Sequence, residues 1–179
     1  VLGDSMAVGV GVDDASDGLA GHLAAGLTVR TGHPVRWRAR GRNGATARDL
    51  VRQYLAPALE RPYDLVFITV GANDALALRS ARAVEIFQRL RPEILSQLAR
   101  AAKPLRRSLY RHSQALEREA RALVDAHPRA HMSPPPPPYT EGFFASDDFH
   151  PSAIGYKDWA DFAVDDAESI GFLRLLDEH

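Results

Sequence analysis

Four short segments of the chain carry the side chains that could do chemistry. They are Gly3-Asp4-Ser5-Met6, Gly44 within Gly-Arg-Asn-Gly-Ala-Thr, Gly71-Ala72-Asn73-Asp74, and Asp147-Asp148-Phe149-His150. A serine, a histidine and an aspartate are the three groups of a nucleophilic triad. Taken alone, Gly-Asp-Ser is a common turn or helix-capping sequence. The order of the segments along the chain is therefore what points to catalysis.

His150 is the candidate general base. Asp147 stands three residues before it, so a short loop would let this carboxylate accept a hydrogen bond from one imidazole nitrogen. The other nitrogen would take the proton of Ser5, and Asp147 would stabilise the imidazolium that forms. Asp148 is an alternative partner, although an exposed carboxylate explains that residue adequately.

Three groups are candidate donors to the oxyanion that forms when a serine attacks a carbonyl carbon. The Asn73 amide can donate without becoming charged, and one such donor is worth about 10²–10³ in rate. The Gly44 N–H is a second candidate, because glycine permits close approach. The Ser5 N–H, near a helix start, is the third. A tight turn would explain Gly-Ala-Asn-Asp equally well.

Two runs predict the strands of a parallel sheet. Residues 34–40 alternate apolar side chains with arginines, which indicates a half-buried strand. Residues 64–70 form a β-branched and aromatic run, which predicts a strand buried on both faces. That strand would deliver Asn73 at its C-terminal end, where ligands bind in open α/β sheets. Only two residues precede Gly3, so we expect most of strand 1 to be missing.

Two helices are predicted in the first half of the chain. Leucines at four-residue spacing indicate a helix over about 16–31, which Gly32 would end. Thr46 would cap a second helix that runs to about residue 59. Three side chains of this second helix are predicted to face inward: Leu50, Tyr54 and Leu55.

The second half of the chain is predicted to be mostly helical. Two helical patterns cover 80–127, are separated by Pro104, and have no strand between them. Residues 129–133 are a weak strand candidate. The proline run 134–138 is stiff, and we interpret it as a rigid connection rather than an SH3-type ligand. Ser152 would begin a last helix that ends near residue 169.

The composition and charge of the chain limit which partners and chemistries it can have. The chain has 179 residues, a net charge of -1 and no cysteine, which excludes disulfides, thiolate catalysis and Cys-ligated zinc. We expect no nucleic-acid partner. Because no apolar run approaches the ~20 residues of a membrane span, we expect no stable membrane insertion. The chain begins with Val1, so we interpret it as a fragment that a leader could have preceded. Neither compartment nor oligomeric state follows from these features.

Together the four segments resemble the four blocks of the SGNH (GDSL-type) hydrolases. Similarity between the blocks, at 10–14, 18–20 and 37–50, extends the resemblance to nearly the whole chain. The resemblance implies a single domain, 1–179, with a flavodoxin-like three-layer α/β/α fold and a parallel sheet. Two departures from it are the shortened strand 1 and the lack of an internal strand after residue 100.

The resemblance also implies roles for individual residues. Ser5 would be the nucleophile, His150 the general base and then acid, and Asp147 the group that orients His150. The oxyanion hole would consist of the Ser5 N–H, the Gly44 N–H and the Asn73 side chain. No metal or organic cofactor is expected.

We therefore predict a serine esterase that cleaves small-molecule esters with small to medium acyl chains through an acyl-enzyme. Narrower alternatives are a carbohydrate or acyl deacetylase, a lysophospholipase and a thioesterase, since all would use the same machinery. The non-enzyme alternative is an inactive truncated domain, which the two missing strands motivate. A phosphate-binding flavodoxin-like module fits worse, because the first loop lacks a glycine-rich cradle and His150 would have no role.

Overall fold

The computed structural model describes residues 1–76, 103–134 and 136–176. The chain divides into two compact units. The first unit joins the two ends of the chain, Val1–Thr69 and Ser133–His179, and the second comprises Val70–Met132. Ser5, Gly44, Asp147 and His150 therefore belong to the same unit.

The first unit contains a three-stranded parallel sheet. Its strands are β1 (Leu2–Gly3), β2 (Arg40–Gly41) and β3 (Ile68–Thr69), in the order β2-β1-β3. Leu2 of the central strand pairs with Arg40 on one side and Ile68 on the other. This order matches the first three strands of flavodoxin-like sheets. The predicted α/β class with a parallel sheet is confirmed.

The strands are shorter and more exposed than predicted. Of residues 64–70, only Ile68 and Thr69 join the ladder, and Val66 and Ile68 are 53% and 62% exposed. The prediction of a strand buried on both faces is wrong, because only the opposite face, with Leu65 and Phe67, packs against the core. A continuous apolar run does not say how many of its faces are covered.

The other two predicted strands are also shorter than predicted or absent. Of residues 34–40, only Arg40 joins β2, which continues to Gly41. Residues 129–133 form no strand, so that weak prediction is wrong. Strand propensity depends on which neighbours a segment packs against, and sequence alone does not supply them.

Two long helices build the main core of this unit. Helix α1 (Leu19–Thr31) follows a 3₁₀ turn (Ala15–Asp17) and ends at Gly32, whose φ of 71° and N–H bond to the Thr28 carbonyl (2.9 Å) close the helix. This confirms the predicted first helix and its end. The facing helix, α6, is capped by Ser152 and runs over Ala153–Ser169, as predicted. The core residues shared by the two helices are Leu19, Leu23, Leu27, Tyr156, Ala160 and Val164.

The predicted helix after Thr46 contains a wider turn. Helix α2 (Ala47–Asp49) starts with a capping box between Thr46 and Asp49, and a π-helical turn (Leu50–Tyr54) separates it from α3 (Leu55–Leu59). Pro57 has no N–H to continue a regular ladder. Because a π turn rotates the residues after it, Leu55 is 38% exposed, and the prediction that it faces inward is wrong. Leu50 and Tyr54 do pack inward.

Two helices are described in the second unit. Helix α4 spans Ala72–Leu76 and α5 spans Lys103–Asp125. Pro104 lies in the first described turn of α5, where a missing N–H is tolerated. The predicted break between two helical patterns stays a prediction, because the residues before Lys103 lie outside those that the structure describes. The helical pattern over 80–102 lies outside the described residues. Within the residues that are described, no helix is long and apolar enough to cross a membrane.

Candidate active site

Ser5 lies two residues after the end of the central strand and begins a series of turns. Two hydrogen bonds hold the strand to the β3 segment: the Leu2 N–H donates to the Phe67 carbonyl (2.8 Å), and the Asp4 N–H donates to that of Thr69 (3.1 Å). The Val10 N–H then bonds the Ser5 carbonyl (3.0 Å). We call residues 4–10 the nucleophile turn. Ser5 is 7% exposed, so the residue is buried in this structure.

Gly3 is needed for the close pairing of β1 and β3. A Cβ at this position would clash with the Thr69 carbonyl and hydroxyl oxygens. The glycine of Gly-Asp-Ser thus has a packing reason that is independent of catalysis.

The Asp147 carboxylate binds the loop that carries His150. One oxygen accepts hydrogen bonds from the N–H groups of Phe149 (3.0 Å) and His150 (2.9 Å). The other lies 2.6 Å from His150 Nδ1. The carboxylate therefore fixes both the backbone and the ring of the histidine, and it leaves Nε2 as the nitrogen that can exchange a proton with a substrate or nucleophile.

Electrostatics favour an ionised Asp147. Burial alone would raise its pKa, but the hydrogen bond from the His150 side chain, the N–H donors of His150 and Phe149, and the charge of His150 lower the pKa below its ordinary value. A carboxylate with these partners stays ionised at neutral pH and can stabilise an imidazolium.

A backbone bridge closes the same loop, residues 144–151, which we call the base loop. Phe144 and Pro151 pair in an antiparallel bridge, and the Ala145 N–H donates to the His150 carbonyl (2.8 Å). Asp148 has a φ of 55° and is exposed. The carboxylate that accepts from the imidazole is that of Asp147, so the alternative partner Asp148 does not take that place.

Ser5 and His150 are not hydrogen bonded to each other in this structure. His150 Nε2 is buried and has no hydrogen-bond partner among the described residues. Catalytic hydrogen bonds are often long in ligand-free enzymes and tighten when substrate binds. The structure thus has the aspartate–histidine contact and places Ser5 in the same unit, without a direct serine–histidine bond.

Two contacts that the sequence did not reveal join the nucleophile turn to α6, and the residue after that turn to the base loop. The Tyr156 hydroxyl, on α6, donates to the Val10 carbonyl (2.6 Å). Gly11, with a φ of 109°, lies so close to the base loop that a Cβ there would be 2.5 Å from the Pro151 carbonyl oxygen and 3.3 Å from the His150 Cβ. In the sequence Tyr156 is only one apolar position of a helix, and Gly11 only a loop glycine.

The two remaining oxyanion candidates lie on different units. Gly44 follows β2 in an exposed turn with a φ of 77°. The Ala45 N–H closes this turn by donating to the Arg42 carbonyl (3.0 Å). Asn73 lies in the first turn of α4, in the second unit. The roles of both as oxyanion donors stay predictions.

No group of three or more metal-ligating side chains that could hold an ion is found in the described residues.

The fold and the site together define a parallel α/β protein with its candidate chemistry at the carboxyl end of the central strand. Comparison with known families takes this further: the chain belongs to the GDSL-like Lipase/Acylhydrolase family, whose model matches residues 1–157. The resemblance inferred from the four segments is thereby confirmed.

One curated protein that is similar to this chain is named a GDSL-like esterase. The chain is 29% identical over 184 residues to the GDSL-like esterase Rv1075c of Mycobacterium tuberculosis (strain ATCC 25618 / H37Rv). The alignment covers 90% of this chain and 58% of that protein, so the chain spans less than two thirds of the relative's length. No solved structure gives a significant match.

Proposed function

We propose that this chain is a serine esterase that cleaves small-molecule carboxylic esters with small to medium acyl chains. Ser5 is the nucleophile, His150 the general base and acid, and Asp147 the residue that orients His150. The observation that carries the proposal is the 2.6 Å contact between Asp147 and His150 Nδ1, in the same unit as a serine placed at the end of the central strand. Family membership supports the same chemistry.

The proposed reaction has two halves. In the first, Ser5 Oγ bonds to the ester carbonyl carbon while its proton passes to His150 Nε2, and the alcohol then leaves with that proton. In the second, Nε2 takes a proton from water, the resulting hydroxide attacks the acyl-enzyme, and the proton returns to Ser5 as the acid departs. Asp147 stabilises the imidazolium in both halves.

The oxyanion is assigned to three donors, the Ser5 N–H, the Gly44 N–H and the Asn73 side chain. A donor aimed at the developing charge contributes about 10²–10³ in rate. The positive φ of Gly44 supports its part, because a glycine turn can expose its N–H. The support for Asn73 is its position, four residues after β3 in the chain.

Hydrolysis of p-nitrophenyl acetate and butyrate tests the proposal. We expect the wild-type protein to turn over both esters, and Ser5→Ala to lose at least about 10³-fold in kcat, since the acyl-enzyme cannot form without the hydroxyl. Ser169→Ala is the matched control. Its exposed hydroxyl, at the end of α6, only donates to the Asp166 carbonyl.

Equal turnover by wild type and Ser5→Ala would overturn the assignment. Labelling by a fluorophosphonate gives a second readout, because it modifies an activated serine directly. We expect the wild type and Ser169→Ala to be labelled and Ser5→Ala to remain unlabelled. A folded wild-type protein that is neither labelled nor active would instead favour an inactive domain.

The preferred substrate is tested by measuring kcat/KM on simple esters of increasing acyl chain length. The same measurement is made on an acetylated sugar, a lysophospholipid and an acyl thioester. We expect the highest kcat/KM on the short and medium simple esters. A much higher value on any of the other three substrates would replace the general esterase by the corresponding narrower activity.

A further inference from the structure

Tyr156 connects the two parts of the candidate site through one buried hydroxyl. Its side chain is 0% exposed, and its hydroxyl donates to the Val10 carbonyl at 2.6 Å. Val10 in turn donates its N–H to the Ser5 carbonyl at 3.0 Å. The nucleophile turn is therefore attached to α6 through two consecutive hydrogen bonds that begin at Ser5.

The other end of this connection is the base loop. Tyr156 lies in the first turns of α6, and its N–H donates to the Ser152 carbonyl at 2.9 Å. A Cβ at Gly155 would clash with the Phe143 carbonyl, so the start of α6 lies directly on the segment that leads into the base loop. Only six positions separate Tyr156 from His150, and that short segment is fixed by helix and bridge contacts.

A second, independent contact joins the same two parts. Gly11 approaches the Pro151 carbonyl and the His150 Cβ so closely that a methyl group would have to displace them. The backbone just after the nucleophile turn thus lies in contact with the base loop itself. Both contacts lie within the first unit, between the backbone that follows Ser5 and residues close in sequence to His150.

We propose that Tyr156 is a positioning residue of the esterase, whose hydroxyl sets the separation between Ser5 Oγ and His150 Nε2 by holding the Val10 carbonyl. The inference rests on the proposed function and adds to it a residue that touches no reacting atom. A misplacement of about 1 Å between reacting groups can cost about 10²-fold in rate, so a single hydrogen bond at this place can matter for turnover.

The surroundings of Tyr156 keep its hydroxyl in the donating form. Burial first, and then the negative charges of Asp4 and Asp147, raise the pKa of the phenol above its ordinary value of 10.0. The phenol therefore remains protonated, and remains a donor, at every pH at which an ester hydrolase would be assayed.

Tyr156→Phe tests the inference, with Tyr139→Phe as the matched control. The control removes the same atom from a ring that is largely exposed in the same unit. We expect Tyr156→Phe to lower kcat about 10- to 100-fold with KM nearly unchanged, and to slow fluorophosphonate labelling of Ser5 by a similar factor. Tyr139→Phe should leave all three quantities at the wild-type level.

To distinguish a loss of stability from a loss of alignment between Ser5 and His150, kcat and the labelling rate are measured well below the melting temperature of each variant. Tyr156→Phe leaves the part-buried Val10 carbonyl without this donor, so the Tm of the variant should fall. If the hydroxyl were only structural, the folded variant would retain the wild-type kcat and labelling rate, and the inference would be wrong. Gly11→Ala, which forces the base loop away by a different route, should reproduce the loss in kcat.

A readout without turnover keeps the inference separate from the proposed function. The ring resonances of His150, assigned by their absence in His150→Ala, should shift in Tyr156→Phe and stay in place in Tyr139→Phe. Unchanged resonances with wild-type activity overturn the positioning role alone. Equal activity of wild type and Ser5→Ala overturns the esterase, whatever the resonances show.

Discussion

Three hydrogen bonds converge on the single carboxylate of Asp147. Two come from the backbone N–H groups of Phe149 and His150, and the third involves His150 Nδ1. The Phe149 ring also meets the His150 ring edge-on, with centroids 4.9 Å apart. At the scale of one residue, Asp147 thus determines the conformation of a loop as well as the orientation of the imidazole.

This convergence predicts a particular pH dependence of stability. The pKa of Asp147 is lower in the folded protein than its ordinary value of 3.8. Its stabilising contribution is therefore fully present above that value and is lost as the pH falls through the lowered pKa. We expect the Tm of wild type to exceed that of Asp147→Asn at about pH 5, and the difference to shrink towards about pH 2.5.

Differential scanning calorimetry of both proteins across that range measures the effect. Asp148→Asn is the matched control in the same loop, because asparagine tolerates the left-handed backbone found there. A Tm difference that grows on acidification, or one that is already absent at about pH 5, would contradict the predicted sign.

The contact between Asp147 and His150 could be predicted from sequence because three residues of spacing limit where the two side chains can go. The contact between Tyr156 and Val10 could not, since 146 positions separate the two residues. Their proximity is set by the packing of α6 against the start of the chain. Local spacing gives short-range geometry, whereas long-range positioning contacts need the fold.

At the scale of elements, the start of α6 is the critical junction. The Ser152 hydroxyl accepts from the Gly155 N–H (3.3 Å) and donates to the Gly142 carbonyl (2.6 Å). One side chain therefore both caps the helix and ties it to the segment before the base loop. Because the cap residue Ser152 lies two residues after His150, the cap also fixes where the base loop ends.

Ser152→Ala is expected to lower the free energy of unfolding by about 0.5–2 kcal/mol, the usual range for loss of an N-cap. Urea unfolding measures the loss. Ser169→Ala removes a hydroxyl from the opposite end of the same helix and should cost clearly less, because it caps no N–H group. Equal losses in the two variants would show that the cap is not what stabilises this junction.

Helices were easier to predict than strands for a physical reason. The leucine spacing of α1, the stop at Gly32 and the cap at Thr46 are local signals, and all three are present in the structure. The extent of a strand depends on partners elsewhere in the chain. The run 64–70 therefore predicted the location of β3 but neither its length nor its exposed face.

At the scale of the molecule, the candidate site depends on bringing the two ends of the chain together. Ser5 comes from the first residues and His150 from the last third, and the core between α1 and α6 holds these two parts in one unit. Ion pairs of Arg30 with Asp165 and Glu168 join the same helices at the surface. Both tryptophans, Trp37 and Trp159, also lie in this unit, so their fluorescence reports on it selectively.

Loss of the site and unfolding of the first unit should therefore coincide. In a urea titration we expect fluorophosphonate labelling of Ser5 and tryptophan fluorescence to share one midpoint. Leu23→Ala, at a position 2% exposed, should lower both midpoints together, since truncating a buried leucine costs about 2–5 kcal/mol. Leu123→Ala, at a position 76% exposed in α5, is the matched control and should move neither. Labelling that disappears at much lower urea than the fluorescence change would show instead that the nucleophile turn and base loop separate while the core of α1 and α6 is still folded.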